Sequence, residues 1–173
     1  MDTKVLKVLL LLGSNSEDAA SVLSEARAAL ARRAPITRSG SLWRTAAWGF
    51  EGPDFVNQVV EIEWNGEPKV LLLECLEVER RLGRIRPTGA PRYTSRRIDI
   101  DLLLTDPFTT SADADLELPH PRMHQRRFVL QPLAEHWSLW KASLSGQIVA
   151  DLEAMCADQN AVHLFSNSNE NDL

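Results

Sequence analysis

Val5–Leu12 is a nearly unbroken aliphatic run, the signature of a strand that is covered on both faces or at least central in its sheet. It stops at Gly13-Ser14-Asn15, where Gly13 permits an unusual turn and Asn15 or Ser16 is placed to cap a following helix. Glu17 and Asp18 then suit the first turn of that helix. Ala19, Val22, Leu23, Ala26 and Leu30 recur at helical spacing, which carries helix one to about Arg33. After Pro35, Ile36–Thr45 reads as a second strand and Phe55–Trp64 as a third. In the third, Phe55, Asn57 and Val59 share one face, and Val56, Val60, Ile62 and Trp64 the other. Asn65-Gly66 marks a turn, and Pro68 opens a second helix, Lys69–Leu82, as a first-turn proline. Leu72, Leu76 and Leu82 mark its buried stripe, on which Glu79 also falls.

In Arg96–Leu104, Ile98, Ile100 and Leu102 alternate with Asp99, Asp101 and Leu103, the period of a strand. Thr105–Asp115 reads as a polar turn. Weaker helical patterns follow at Phe128–Glu135 and Ser145–Cys156, before a polar tail, Ser166–Leu173, expected to be disordered. The order β-α-β-β-α-β predicts an α+β fold of the ferredoxin-like, split βαβ type: an antiparallel sheet with helices packed on one face. The other face is then free for a ligand. One domain is expected over residues 1–165, with 166–173 as tail.

Composition narrows the function. Of 173 residues, 44% are hydrophobic and 25% charged, as in an ordinary soluble globule, and the net charge of −5 argues against a general nucleic-acid binder. The basic charge is nevertheless local. Arginine outnumbers lysine, 15 to 4, and ten of the arginines lie within Arg80–Arg97 and Arg122–Arg127. Arginine is favoured over lysine where phosphate or carboxylate oxygens are held in a bidentate fork, so a small anionic ligand is expected. Cys75 and Cys156 read as free thiols of a reducing compartment. No signal peptide is expected before the first strand and no apolar run has membrane-spanning length, so a cytoplasmic protein is expected, without membrane partners.

The strand period puts the carboxylates of Asp99 and Asp101 on the same face. Two such groups side by side raise each other's pKa unless a cation neutralises them, and aspartates without Cys or His point to hard Mg²⁺. The alternative is a solvated pair neutralised by Arg96 and Arg97. The adjacent arginines and the Pro/Gly-broken loop Arg84–Ser95 are parts that stabilise a transferring phosphoryl group. Glu79, on an apolar stripe, needs either an ion pair with Arg80, Arg81 or Arg84 or a role in shaping a ligand site. Asn57, among apolar neighbours, suits the polar edge of a heterocycle. His120 and His124 are four residues apart, but Pro119 and Pro121 oppose a helical zinc site, and His120 with Arg126 reads instead as a phosphate contact, with a solvated turn as the alternative. An RNA-binding sheet of this topology is disfavoured, because Asp99 and Asp101 would repel phosphate without metal.

Six blocks in order extend this reading: Leu12-Gly-Ser-Asn15, Trp43-Arg-Thr45, Phe55-Val-Asn57, Glu79 with Arg84 and Arg86, Arg96-x-x-Asp99-x-Asp101, and Leu118-Pro-His-Pro121 followed by Arg126-x-Phe-Val-Leu130. From Val8 to about Glu135 the chain resembles the 6-hydroxymethyl-7,8-dihydropterin pyrophosphokinase family. The resemblance implies transfer of the β,γ-diphosphate of ATP to the pterin hydroxymethyl group in folate biosynthesis. It implies two Mg²⁺ on Asp99 and Asp101, with Arg84 and Arg96 completing the catalytic set. It implies ATP contacts from Glu79, Arg86, Arg96, Leu102, His120 and Arg126, and a pterin pocket of Thr45, Trp48, Phe55, Asn57 and Phe128. A monomer is expected, with other folate-pathway enzymes as candidate partners. Three features depart from the family: Ala46-Ala47 follows Thr45 where proline is common, Tyr93-Thr94-Ser95 replaces a Trp-Gly-Pro type sequence, and the loop Arg86–Arg96 is longer than in compact members, which leaves Arg92 without a family counterpart.

Overall fold

The computed structural model describes residues 5–47, 51–83 and 97–166. In chain order the elements are β1 (Leu6–Ser14), α1 (Ala19–Ala31), β2 (Ile36–Ser39), β3 (Trp43–Thr45), β4 (Phe55–Trp64) and α2 (Pro68–Arg81). They continue with β5 (Asp99–Asp106), β6 (Ser111–Ala112), β7 (Glu117–Leu118), α3 (Arg127–Trp137), α4 (Val149–Ala154) and β8 (Val162–Leu164). The main sheet runs β5-β1-β4-β3-β8, with β2 also paired to β4, and β6 and β7 form a separate hairpin. The pairs β1–β4, β1–β5, β2–β4, β3–β4 and β3–β8 are all antiparallel. With β2 and β3 as one interrupted strand, this is the ferredoxin-like order expected from the sequence.

β1 is central, and its residues from Val8 to Leu12 are buried. Val8, Leu10 and Leu12 pack with Val22, Leu23 and Leu30 of α1, Leu71, Cys75 and Val78 of α2, and Val60, Ile62, Ile100 and Leu102 of neighbouring strands. Leu9 and Leu11 face the other way and join Val59, Leu103, Leu104, Val129, Leu130, Leu133, Trp137 and Val149 in a second core. The expectation of helices on one face is therefore corrected: α1 and α2 cover one face, while α3 and α4 cover part of the other. Each buried Leu or Val contributes roughly 1.5–3 kcal/mol, so leaving Leu9, Leu11, Leu103 and Leu104 open would be strongly unfavourable. A shift in the β1–β5 register between Leu9 and Leu10 lets consecutive Leu103 and Leu104 both enter this second core.

Other expectations change in detail. Ile36–Thr45 is broken at residues 40–42, where Gly40 N–H still donates to Val59 O at 2.8 Å and Gln58 Nε2 donates to Gly40 O at 2.6 Å. The stripe of α2 is Leu71, Cys75 and Val78, with Leu76 exposed and Leu72 and Leu82 at its margins. Neither Asn15 nor Ser16 caps α1 through its side chain. Asn15 turns inward toward Pro53 O at 3.4 Å, and the Ser14 and Ser16 hydroxyls bond each other at 2.9 Å. Of Ser145–Cys156, only Val149–Ala154 is helical, and β8 has no counterpart in the sequence reading.

Candidate active site

One rung of the sheet assembles the candidate site. Trp43 pairs with Asn57, Asn57 with Gly13, and Gly13 with Asp99. On the rung toward the second core, Val59 pairs with Leu11 and Leu11 with Asp101. Cross-strand partners share a face, so Asp99 and Asp101 lie on the side of Asn57 and Leu11, opposite α1 and α2. Ile100 and Leu102 between and after them are buried against those helices. Both aspartates are half-buried, at the end of the sheet that the α3 core does not include.

Gly13 matters through its size. A Cβ there would stand 2.8 Å from Asn57 Oδ1. Gly13 lies within β1 rather than in a turn, so the expected conformational role is replaced by a steric one. Asn57 is buried and donates from Nδ2 to Thr45 Oγ1 at 3.2 Å. Thr45 pairs in register with Phe55, which brings three of the expected pterin contacts together. Phe128 enters from the first turn of α3, with the Arg126 guanidinium 5.5 Å from its ring centroid.

Glu79 is 2% exposed and its Oε1 accepts the Ile100 N–H at 2.7 Å. β5 is the edge of the sheet, so this carboxylate satisfies an outward amide at the residue between Asp99 and Asp101. Arg80 and Arg81 instead pair with Glu77, which corrects the sequence-based choice of those two as partners for Glu79.

His120 donates its backbone N–H to Leu103 O at 2.9 Å, anchoring it beside β5. Burial, with Arg126 and Arg122 nearby, pushes its imidazole down to about 4, against the opposing pull of Asp99. It is neutral near pH 7. Nδ1 accepts the Arg122 N–H at 3.2 Å, which assigns the proton to Nε2 and leaves a neutral donor there. His120, Asp101, Leu102 and Leu72 line a pocket along the outer edge of β5, closed on one side by residues 113–117 of the β6–β7 hairpin. Lys69 at the start of α2 ties that hairpin down through Asp113 at 2.9 Å and Asp115 at 3.6 Å.

Asp101, Leu102 and His120 are thus gathered at one pocket, with Phe55 and Asn57 two strands away on β4 and Thr45 three strands away on β3. Trp48, Arg84, Arg86 and Arg96 lie outside the described residues. Asp99 and Asp101 offer hard oxygen ligands, and among the described residues no three His, Cys, Asp or Glu side chains group to hold a metal. Two aspartate carboxylates are a donor set of the kind Mg²⁺ takes, with substrate phosphate and water completing its shell. The sequence reading missed Gly13 as a spacer and the acidic segment at 113–117. Both depend on cross-strand or cross-element neighbours, which leave no local pattern.

The α+β, ferredoxin-like sheet thus carries a carboxylate pair, a neutral histidine and a pocket beside β5. Residues 9–138 match the family model described as 7,8-dihydro-6-hydroxymethylpterin-pyrophosphokinase (HPPK). A 2-amino-4-hydroxy-6-hydroxymethyldihydropteridine pyrophosphokinase of Porphyromonas gingivalis is 39% identical over 130 residues, covering 74% of this chain and 88% of the relative. That of Bacillus subtilis is 38% identical over 127 residues, covering 72% and 74%. The chain belongs to the 7,8-dihydro-6-hydroxymethylpterin-pyrophosphokinase family. The fold also matches a solved Plasmodium falciparum HPPK-DHPS chain with pterin and p-hydroxybenzoate, at TM-score 0.67 and 13% identity. That match spans 89% of this chain and 44% of the larger one. No helix among the described residues is long and apolar enough to cross a membrane.

Proposed function

We propose that this chain transfers the β,γ-diphosphate of ATP to the hydroxymethyl group of 6-hydroxymethyl-7,8-dihydropterin, giving the pterin diphosphate and AMP, in folate biosynthesis. The observation that carries this is the shared rung, Asn57–Gly13–Asp99, in a member of the pyrophosphokinase family. It joins a heterocycle-reading amide to a phosphate-side carboxylate across one glycine. The hydroxymethyl oxygen bonds the β-phosphorus, the bond from that phosphorus to the α-bridging oxygen breaks, AMP leaves and the hydroxyl proton is released.

Asp99 and Asp101 would hold two Mg²⁺, which when bound supply neutralisation of the phosphate charge. Thr45, Phe55, Asn57, Phe128 and Trp48 hold the pterin, with Asn57 oriented by its bond to Thr45. Leu102, His120 and Arg126 take ATP with Arg86, and His120 Nε2 donates to a phosphate oxygen without adding charge. Arg84 and Arg96 contribute the cations that close the charge balance around the triphosphate. Glu79 serves this site from behind β5. The functional domain is residues 1–165, with 166–173 as a tail, acting as a cytoplasmic monomer. Partnership with other enzymes of the pathway is supported by relatives that join activities, such as the folate synthesis bifunctional protein of Pisum sativum, 34% identical over 137 residues.

Asp99→Ala and Asp101→Ala should each fold and lose at least about 10²-fold in turnover, as removal of electrostatic stabilisation does. Assay of AMP release with Mg²⁺, ATP and the pterin checks this. Wild-type turnover in either variant would remove the metal assignment. Titration with a non-hydrolysable ATP analogue, with and without Mg²⁺ and pterin, separates this activity from a binding module that lacks the reaction.

A further inference from the structure

The family match stops at residue 138, yet the chain beyond it returns to the site twice. The first return is at α3. The N-cap position is Arg126, whose side chain makes no capping bond; a guanidinium has no acceptor to give. The Arg127 N–H is instead accepted by Asp158 Oδ2 at 2.9 Å, from 31 residues downstream. The other oxygen, Asp158 Oδ1, accepts Asn160 N–H at 3.0 Å and Asn160 Nδ2 at 2.6 Å, which folds the loop around the carboxylate. A carboxylate at this end also complements the helix dipole. Phe128 is the second residue of the helix so held.

The second return is at β3. β8 adds to it antiparallel, with Thr45 opposite Val162 and Trp43 opposite Leu164. Phe165 N–H donates to Leu42 O at 2.8 Å, and the Arg44 guanidinium lies 4.9 Å from the Phe165 ring centroid. Only three residues long, β3 would otherwise be a short edge strand, yet it carries Thr45, which orients Asn57.

We propose that Asp158–Phe165 is a brace that positions both walls of the pterin pocket, Phe128 through Asp158 and Thr45 through β8. Asp158 is thereby a positioning residue for pterin binding. This rests on the reading that Thr45, Phe55, Asn57 and Phe128 hold the pterin. It predicts a cost that falls on pterin through both arms and on ATP only through the Asp158 arm, because Arg126 adjoins the Arg127 N–H that Asp158 accepts, while β8 is separated from Asp101 and Leu102 on β5 by β3, β4 and β1.

The test uses full-length Asp158→Ala, Asp158→Asn, Phe165→Ala and Phe128→Ala, with KM for each substrate, kcat and thermal unfolding measured on each. Asp158→Ala should raise the pterin KM about fivefold, the factor corresponding to loss of a typical helix cap. Its kcat should move by less than about twofold, and its ATP KM should rise less than its pterin KM, since only Arg126 among the ATP contacts sits on the held turn. Asp158→Asn keeps one acceptor oxygen where Asp158 uses two, for Arg127 N–H and for Asn160, so it should recover only part of the pterin KM. Phe165→Ala should raise the pterin KM through the other arm, and decides the matter if Asp158→Ala does not fold. If Phe128→Ala raises the pterin KM while Asp158→Ala and Phe165→Ala do not, the brace is refuted, whatever the melting temperatures do. If Phe128→Ala leaves the pterin KM unchanged, the pocket reading beneath it is refuted instead.

Discussion

Gly13 and His120 set the local chemistry of the site through contacts that a single side chain decides. The space at Gly13 is closed by Asn57 Oδ1, 2.8 Å from where a methyl would stand, and Asn57 is fixed in turn by Thr45. Gly13→Ala should therefore displace the amide, costing about 1–3 kcal/mol of stability by overpacking and raising the pterin KM. Denaturant unfolding and steady-state kinetics check both effects. His120 makes a pH prediction. Its folded pKa, about 4, lies below the ordinary 6.5, so between these values the unfolded chain binds the proton first. Its contribution to stability is neutral above pH 6.5 and becomes destabilising as pH falls toward 4. The loss is roughly 2–3 kcal/mol in the ligand-free protein. Unfolding at pH 7 and pH 4.5 should show a smaller acid loss in His120→Asn than in the wild type.

At the scale of elements, α2 and β5 form one functional unit. Leu71, Cys75 and Val78 seat the helix on the sheet, and that seating delivers Glu79 to the edge amide of Ile100. Glu79→Ala removes the acceptor from a buried N–H, a loss of about 1–3 kcal/mol, and frees the backbone between the two aspartates. The Mg²⁺ concentration for half-maximal rate should rise, and Glu79→Gln, which keeps an oxygen acceptor, should recover part of it. The attachment of α3 is different in kind. Trp137 Nε1 donates to buried Glu61 Oε2 at 2.7 Å, while Thr37 Oγ1 donates to Oε1 at 2.7 Å and Lys7 Nζ lies 3.2 Å away. Trp137→Phe should lower stability by about 1–3 kcal/mol and leave both KM values nearly unchanged, as calorimetry and kinetics would show. The network lies away from the Asn57–Asp99 rung.

For the whole molecule, the site lies where two layers end. α1 and α2 close one face of the sheet, and α3 and α4 close part of the other, leaving the Gly13 end of the central strands to the proposed site. The run Val5–Leu12 reads as covered on both faces or at least central, and the second layer supplies the cover that the expectation of helices on one face left out. Pro132 inside α3 and its short apolar stripe, Val129, Leu130, Leu133 and Trp137, obscured which segment provides that cover. Glu135 shows the same limit. It accepts Ser41 N–H at 2.9 Å and Trp43 Nε1 at 3.3 Å, tying α3 to the break before β3. These partners are more than 90 residues apart in the chain, beyond the reach of any local pattern.

Alternation of side chains along β5 was sufficient, from sequence alone, to put Asp99 and Asp101 on one face. The blocks around them were sufficient to mark the family. Both are short-range properties, since strand and helix periods of about 2.0 and 3.6 residues are written in adjacent positions. Tertiary structure alone decided that Gly13 separates Asn57 from Asp99, that Glu79 backs Ile100, and that Asp158 caps α3. Each depends on strand register or on how distant segments dock, which many sequences of the same periodicity could satisfy differently, and only simultaneous packing of both cores selects among them.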